Sequence, residues 1–166
     1  TPHGGYFIPF DDQGVQKGRT TIMKNGLLLD FLHDKNTANE LDARPTGNSR
    51  AQDIEYQSQV RMTNTFVDAG DHSFEELFEG IKEGFYIKDR GSTGGEVNVG
   101  VGSFIFNGGE SFRIQNGQLA EQVSGVAISG TILNNLKMVD AVGKDLEVFT
   151  SFFGACGKGG QYVKIG

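Results

Sequence analysis

The chain has one cysteine, three prolines and no tryptophan among its 166 residues. A single cysteine excludes an internal disulfide, and a domain of this length can do without one, because it buries roughly 70% of its unfolded surface. No apolar run approaches the roughly 18 residues of a membrane span, and no charged-then-apolar pattern typical of a signal peptide occurs. We therefore expect a single cytoplasmic domain over residues 1–166 with no membrane partner.

Basic residues are too few for a protein that binds nucleic acid directly. The chain has 15 Lys and Arg against 21 Asp and Glu, which gives a formal net charge of −6. Binding to a phosphate backbone requires a basic surface, and this composition does not supply one. The sequence therefore argues against direct contact with DNA or RNA.

The common catalytic motifs are also missing. The chain has no HExxH, no GxSxG, no P-loop lysine pattern and no EF-hand loop. Its histidines, His3, His33 and His72, fit no zinc-ligand spacing, and we interpret them as ordinary surface or hairpin residues. No residue of this chain is therefore expected to be catalytic by itself.

Two short segments invite a ligand-binding interpretation but have a simpler one. Asp11-Asp12 before Gly14 could form half of a metal site, yet Asp-rich turns are common, and we favour a turn. The glycine-rich segment 91–102 suggests a phosphate loop, but no helix follows it to receive the phosphate. We expect its glycines to lie at a bulge or a strand end.

Glycine is abundant, at 25 residues, and it separates apolar runs of strand length. This pattern is typical of a β-rich domain. Asn25-Gly26 and Asn116-Gly117 predict two hairpins, because both residues of Asn-Gly tolerate the positive φ of a type I′ turn. The hairpin strands are 20–24 with 27–32 and 111–115 with 118–123, and further strands are expected at 60–67, 85–88, 96–106 and 162–165.

Helical signals are fewer. Ser73 and Glu76 fit a capping box before apolar residues at helical spacing, which predicts a helix ending at Gly84. A second helix is expected over 131–139, whereas 35–56 is predicted to be a polar surface loop with at most a short helix at 37–43. The fold class is therefore α+β and β-rich, with antiparallel sheets in a sandwich or curved layer and two short helices.

The only cysteine, Cys156, lies among glycines in the segment GACGKGGQ at 154–161. Glycines let the backbone approach another group closely and can leave the sulfur accessible. Two interpretations stay open from the residues alone. Cys156 is either a small buried residue or a metal ligand or nucleophile.

A second candidate segment is RMTNT at 61–65. If it forms a strand, Arg61, Thr63 and Thr65 share one face, and Asn64 lies on the other. Arg and Asn side chains bind carboxylates and peptide amides through directed hydrogen bonds. The alternative is an exposed strand face that binds nothing.

Taken together, the motifs of this chain resemble the C-terminal domain of the TldD/PmbA family, also described as modulators of DNA gyrase. The resemblance runs from about residue 8 to the end. RMTNT and CGKxGQ are its specific motifs. The other matching strings are FDDQGV, NGLLLDFLHDKNTAN, RPTGNSR, GFYIKDRG, VSGVAISGT and VGKDLE.

The resemblance implies a metallopeptidase built from two related subunits, as a homo- or heterodimer, that processes or degrades small unfolded peptides. In the TldD-type subunit an upstream HExxxH supplies two histidine ligands and a glutamate base. By the CGKxGQ motif, Cys156 would be the third ligand of a divalent metal, zinc or iron. Arg61 and Asn64, with Gly157 and Lys158, would lie in the peptide-binding region.

One departure from the family pattern limits what this chain can do alone. It contains no HExxxH, so the isolated chain is expected to bind no metal tightly and to be inactive. If the parent protein carries the motif, it is a TldD-type peptidase. Otherwise, the resemblance implies a non-catalytic PmbA-type partner, a peptide-binding module or an indirect modulator of gyrase.

Overall fold

The computed structural model describes residues 7–147 and 155–165. The chain divides into two compact units, one formed by Thr1–Val67 with Glu147–Gly166 and the other by Asp68–Leu146. The expectation of a single domain over residues 1–166 stays a prediction. The strands and helices, in chain order, are β1 (Met23–Lys24), β2 (Leu27–Leu28), α1 (Lys35–Glu40), β3 (Ser49–Arg50), β4 (Gln59–Val60), β5 (Glu83–Ile87), β6 (Arg90–Asn98), β7 (Ser103–Gly108), β8 (Ser111–Gln115), β9 (Gln118–Val123), β10 (Ala127–Thr131), α2 (Ile132–Lys137), β11 (Ala155–Lys158) and β12 (Gln161–Lys164).

Within the described residues, the first unit contains three antiparallel strand pairs, β1–β2, β3–β4 and β11–β12, together with α1. Its interior is largely polar. Ala38 and Val163 are its buried apolar residues in the described ranges. The buried polar residues of this unit are Asp11, His33, Asp34, Thr46, Asn48, Ser49, Arg50, Arg61, Thr63 and Gln161. Because buried polar groups must be paired, hydrogen bonds rather than apolar contacts dominate the interior of this unit.

The second unit contains two three-stranded antiparallel sheets, in the orders β10–β7–β6 and β5–β8–β9. Phe78 and Ile114 are buried here. Phe78 lies edge-on to Phe74 at 4.8 Å and to Tyr86 at 5.7 Å between ring centroids. These edge-to-face contacts pack the segment before β5 onto its sheet.

The β-rich α+β fold with antiparallel sheets and two short helices is confirmed. Both Asn-Gly turns form as predicted, with positive φ at Asn25 and Gly26 and at Asn116 and Gly117. The strands of the first hairpin are shorter than the predicted 20–24 and 27–32, at two residues each. The glycine-rich segment contains an irregular register shift between Arg90 and Gly95, and it shows no phosphate-loop geometry before a helix because β6 continues through it. No helix in the described residues is long and apolar enough to cross a membrane.

Four predicted elements are wrong. The surface loop expected over 35–56 is buried at residues 46–50 and contains β3. The single strand over 96–106 is a hairpin of β6 and β7, because the Asn98 side chain accepts hydrogen bonds from the backbone N–H groups of Gly100 and Val101 and closes a turn. The strand over 60–67 ends at Val60. The helix expected from Ser73 to Gly84 is a single 3₁₀ turn, Glu76–Phe78, followed by Gly80 at φ 80°.

The local signals behind the helix predictions are nevertheless present. Ser73 N–H donates to Glu76 Oε2 at 2.6 Å, and Glu76 N–H donates to Ser73 Oγ at 3.2 Å, as a capping box requires. The helix predicted over 131–139 is confirmed as α2. The short helix expected at 37–43 is α1, which begins two residues earlier because Asp34 caps it.

Candidate functional site around Cys156

Cys156 lies in the β11–β12 hairpin. Its direct cross-strand partner is Val163, and Lys158 pairs with Gln161 at the turn. These four residues share one face of the hairpin, because alternate residues of a strand point to the same side. Val163 and Gln161 are buried and Cys156 is half-buried, so the cysteine lies on the inward face.

The guanidinium of Arg61 binds the main chain of this hairpin. Nη1 donates to the carbonyl oxygen of Lys158 at 2.9 Å. Nη2 donates to the carbonyl oxygens of Cys156 and of Gln161, the latter at 3.1 Å. Arg61 is only 1% exposed, so these contacts hold a buried cation against both strands of the hairpin.

Glutamine side chains fasten the same hairpin to the segment that contains β4. Gln59 Nε2 donates to the carbonyl oxygen of Lys158 at 3.2 Å, and Gln161 Nε2 donates to that of Gln57 at 2.9 Å. The Gln52 backbone N–H donates to Gln161 Oε1 at 3.0 Å, and Gln52 Oε1 accepts from the N–H of Tyr162 at 2.8 Å. The hairpin is thus bound through side chains that lie about a hundred positions away in sequence.

Arg61 is itself fixed by the RPTGNSR segment. Its backbone N–H donates to the carbonyl of Asn48, and its carbonyl accepts from Asn48 Nδ2, both at 2.8 Å. Asn48 Oδ1 lies 2.8 Å from Thr46 Oγ1, which accepts from the backbone N–H of His33 at 2.7 Å. His33 is therefore a buried structural residue outside any strand, and the prediction that it is a surface or hairpin residue is wrong. His3 lies outside the described residues.

The Asp11-Asp12 segment forms a turn, as favoured from the sequence. The buried Asp11 carboxylate accepts hydrogen bonds from the backbone N–H groups of Gln13, Val15 and Ser49 at 2.8–3.0 Å. Asp12 Oδ2 accepts from the N–H of Ala51 at 2.7 Å. These carboxylates bind the chain's own backbone, which explains them without a metal.

A perturbed lysine lies beside this turn. Lys17 Nζ donates to the carbonyl of Gly47 at 2.9 Å. The pKa of Lys17 is lowered to about 8, first by burial and then by the nearby Arg50 cation, whereas Asp11 acts in the opposite direction.

The structure brings most of the predicted site residues together. Arg61, Cys156, Gly157 and Lys158 meet at the hairpin, where Lys158 Nζ donates to the carbonyl of Val60 at 2.9 Å. Asn64 lies three residues beyond Arg61, is half-buried and is itself engaged with neighbouring groups. The described contacts of the Arg61 guanidinium are with the hairpin backbone, and its direct contact with substrate stays a prediction. Sequence reasoning missed Gln52, Gln59 and Gln161, although Gln161 is the last residue of the CGKxGQ motif.

The donor set for a metal is incomplete within the described part of the chain. No group of three or more His, Cys, Asp or Glu side chains there could hold a metal ion. Cys156 offers a single thiol, whereas a zinc site needs at least three protein ligands. These residues alone therefore do not form a metal site.

Comparison with known proteins places the chain in a family. The model of the PmbA/TldA metallopeptidase C-terminal domain matches residues 1–159. The chain belongs to this family. The earlier resemblance to the TldD/PmbA family is thereby confirmed.

Similar proteins of this family are named as metalloproteases. A metalloprotease of Methanothermobacter thermautotrophicus is 46% identical over 95% of this chain and 33% of its own length. A zinc metalloprotease TldD homolog of Saccharolobus solfataricus is 37% identical over 95% of this chain and 34% of its own length. The chain therefore spans about a third of the length of these relatives.

Two solved structures share the fold. A Thermotoga maritima protein named for modulation of a DNA gyrase matches with a TM-score of 0.68 and 31% identity, over 85% of this chain and 31% of that one. TldE from Thermococcus kodakarensis also matches with a TM-score of 0.68, over 83% of this chain and 31% of that one. Its identity of 22% makes this second likeness one of fold alone.

Proposed function

We propose that this chain is the C-terminal domain of a TldD-type metallopeptidase and that it contributes Cys156 as one protein ligand of a divalent metal, zinc or iron. The observation that carries the proposal is the half-buried thiol on a hairpin whose backbone is held by Arg61. Two kinds of comparison support it. The family description names a metallopeptidase, and one relative is named as a zinc enzyme.

The other ligands must come from outside this chain. Because the described residues offer no group of three donors and the chain has no HExxxH, an upstream region would supply two histidines and a glutamate base. When bound, such a metal polarises the scissile carbonyl and lowers the pKa of a coordinated water.

The chain's own residues have two tasks in this proposal. Cys156 donates its thiolate, and Gly157 and Lys158, which are exposed beside it, contact an unfolded peptide substrate. Gly157 leaves room for the ring of Tyr162, its cross-strand partner, which would lie 3.0 Å from a Cβ at this position. Asn64 contributes to the same peptide-binding region from the segment after β4, and Arg61 supports that region from within by binding the hairpin backbone. A related TldD/PmbA-type subunit is the proposed partner, in a homo- or heterodimer.

The decisive experiment uses the natural protein that carries this chain, isolated from its host through a tag introduced at the gene. Its mass and amino-terminal sequence show whether an HExxxH region is present. Metal content is measured by mass spectrometry and assembly by light scattering. Hydrolysis is measured with a mixture of unstructured peptides as the substrate. We expect one bound divalent metal for each chain and peptide hydrolysis.

Cys156→Ala and Ala155→Ser separate the roles of two neighbouring residues on opposite faces of β11. We expect Cys156→Ala to lose metal and hydrolysis while it remains folded by circular dichroism, whereas Ala155→Ser keeps both. Retention of metal and activity by Cys156→Ala would refute the ligand assignment. A natural protein without HExxxH, metal or hydrolysis would instead be a non-catalytic subunit, and co-purification of a gyrase subunit would favour the regulatory alternative.

A further inference from the structure

The hairpin that carries Cys156 is rich in residues that restrain the backbone poorly. Gly157 follows the cysteine, and the turn consists of Gly159 and Gly160, both at positive φ. Glycine has the largest conformational freedom to lose on folding, so this hairpin has little intrinsic tendency to hold one geometry. Its shape must therefore be fixed by contacts from outside it.

The Arg61 guanidinium supplies contacts of this kind. Its two terminal nitrogens reach three carbonyl oxygens, one before the turn at Cys156, one at the turn on Lys158 and one after it on Gln161. A planar fork with several donors can bind both strands at once, whereas a lysine ammonium is a single point of charge on a flexible stem. The contact is therefore specific to arginine.

The burial of the Arg61 guanidinium is unfavourable unless its hydrogen bonds to the hairpin carbonyls form. Arg61 is 1% exposed, and its Nε has no hydrogen-bond partner among the described residues. A buried cation contributes little net stability even when paired, because desolvation offsets the attraction. The main physical consequence of Arg61 is therefore a fixed hairpin geometry.

That geometry determines where the sulfur lies. The Cys156 carbonyl accepts a hydrogen bond from Arg61, and Cys156 is paired across the strand with the buried Val163. Fixing the peptide plane after a residue, together with its strand pairing, fixes the direction of its Cα–Cβ bond. A displacement of about 1 Å in a catalytic group lowers turnover by roughly a hundredfold.

We infer that Arg61 is a positioning residue that holds the Cys156 hairpin in the conformation needed for metal binding. The inference rests on the proposed function for the role of Cys156 as a ligand. The restraint of the hairpin by Arg61 is independent of that role and is measured separately.

The first test measures hydrogen exchange by mass spectrometry in this 166-residue chain. The variants are Arg61→Lys, which keeps the charge without the fork, and Arg61→Ala. The matched control is Arg113→Lys, which alters an arginine bound to the exposed side chains of Glu83 and Glu121. We expect Arg61→Lys to exchange at least tenfold faster over 155–164 but within twofold of wild type over 33–43. Unchanged exchange in the hairpin, or equal acceleration in both segments, would overturn the inference.

A measurement on the unaltered chain covers the case in which neither Arg61 variant folds. If Arg61 holds the hairpin, the backbone amides of the hairpin exchange only through global unfolding. The free energy calculated from their exchange rates should then fall with denaturant in step with the free energy of unfolding. Protection factors at least a hundredfold below those expected for global unfolding, and unaffected by denaturant, would show that the hairpin opens by itself. That outcome would overturn the inference.

A second test uses the natural protein with cobalt substituted for its metal. The absorption spectrum then reports how the Cys156 sulfur is positioned toward the metal. We expect Arg61→Lys to shift or weaken the thiolate-to-cobalt absorption band and to lower kcat at least tenfold with KM within twofold. An unchanged band and unchanged kcat would overturn the positioning role. If Cys156→Ala shows that Cys156 is not a ligand, the proposed function fails, but the exchange experiment still decides whether Arg61 restrains the hairpin.

Discussion

The Asp11 carboxylate and the Ser49 backbone N–H lie 2.9 Å apart although 38 positions separate them in sequence. The same carboxylate accepts the N–H groups of Gln13 and Val15, so one buried side chain ties the start of the chain to β3. This is the kind of contact on which the polar interior of the first unit depends.

Asp11→Ala should destabilise the chain, because it leaves three backbone N–H groups without their acceptor. Each buried donor left without a partner costs about 1–3 kcal/mol, and partial rescue by water brings the expected loss to about 2–4 kcal/mol. The measurement is urea unfolding followed by circular dichroism. Asp42→Asn, at an exposed residue with φ 51°, is the control and should change the free energy by less than about 0.5 kcal/mol. Equal effects of the two variants would contradict the role of Asp11.

Gly47 and Gly14 form a matched pair, because both have φ 73° but different surroundings. A Cβ on Gly47 would lie 2.8 Å from Gln16 O, whereas a Cβ on Gly14 would meet nothing within 4 Å. We expect Gly14→Ala to lower stability by about 1 kcal/mol through its left-handed φ alone, and Gly47→Ala to lose roughly 1–3 kcal/mol more. Thermal and urea unfolding of both variants measure the difference. Equal losses of stability in the two variants would show that the backbone at Gln16 moves away from the new Cβ without strain.

The cap of α1 offers a third test. Asp34 Oδ1 accepts from the Thr37 N–H at 2.8 Å, and the Asp34 N–H donates to Thr37 Oγ1 at 3.2 Å. Asp34→Ala should cost about 0.5–2 kcal/mol, whereas Asp34→Ser keeps a capping oxygen and should lose much less. Urea unfolding compares the two variants. A serine variant as unstable as the alanine variant would indicate that the carboxylate acts through its charge rather than as a cap.

Lys17 makes stability depend on pH in a defined direction. Its pKa is lowered from 10.5 to about 8, by burial and then by Arg50, so the folded chain releases this proton at a pH where the unfolded chain still holds it. Stability should therefore rise between about pH 8 and 10.5, by less than about 1.4 kcal/mol per pH unit because solvent screens a partly exposed group.

The measurement for Lys17 is the free energy of unfolding in urea over this pH range, for wild type and for Lys17→Met. The variant should lack this contribution, so the difference between the two proteins should change steadily with pH above 8. A constant difference would show that the pKa of Lys17 is not lowered.

Local signals in the sequence were sufficient where a few neighbouring residues determine the conformation. Both Asn-Gly hairpins, the α2 helix and the Ser73–Glu76 capping pair follow from residues at most a few positions apart. The predictions failed where competing short-range contacts interrupted a periodic pattern. The turn closed by Asn98 divided the expected strand over 96–106, and Gly80 limited the helix after Ser73 to one 3₁₀ turn.

The candidate site shows the same division between local and long-range information. The sequence indicated Cys156 through its glycine-rich motif and Arg61 through RMTNT, although the strand assumed for Arg61 does not form. The family resemblance placed both residues in one site, but the sequence did not predict that Arg61 binds the backbone of the hairpin, and it missed the glutamines that fasten the hairpin. Side-chain hydrogen bonds to backbone carbonyls leave no periodic pattern in sequence, so spacing could not reveal them.

The sequence by itself determined the β-rich fold class, the Asn-Gly turns, the family and the absence of HExxxH from this chain, because composition, turn chemistry and motifs are read directly from residue order. Only the tertiary structure decided that Arg61 is buried beneath the Cys156 hairpin and bound to three of its carbonyls. The physical reason is that these groups are about a hundred residues apart, and folding alone brings a buried cation to the backbone that must pair with it.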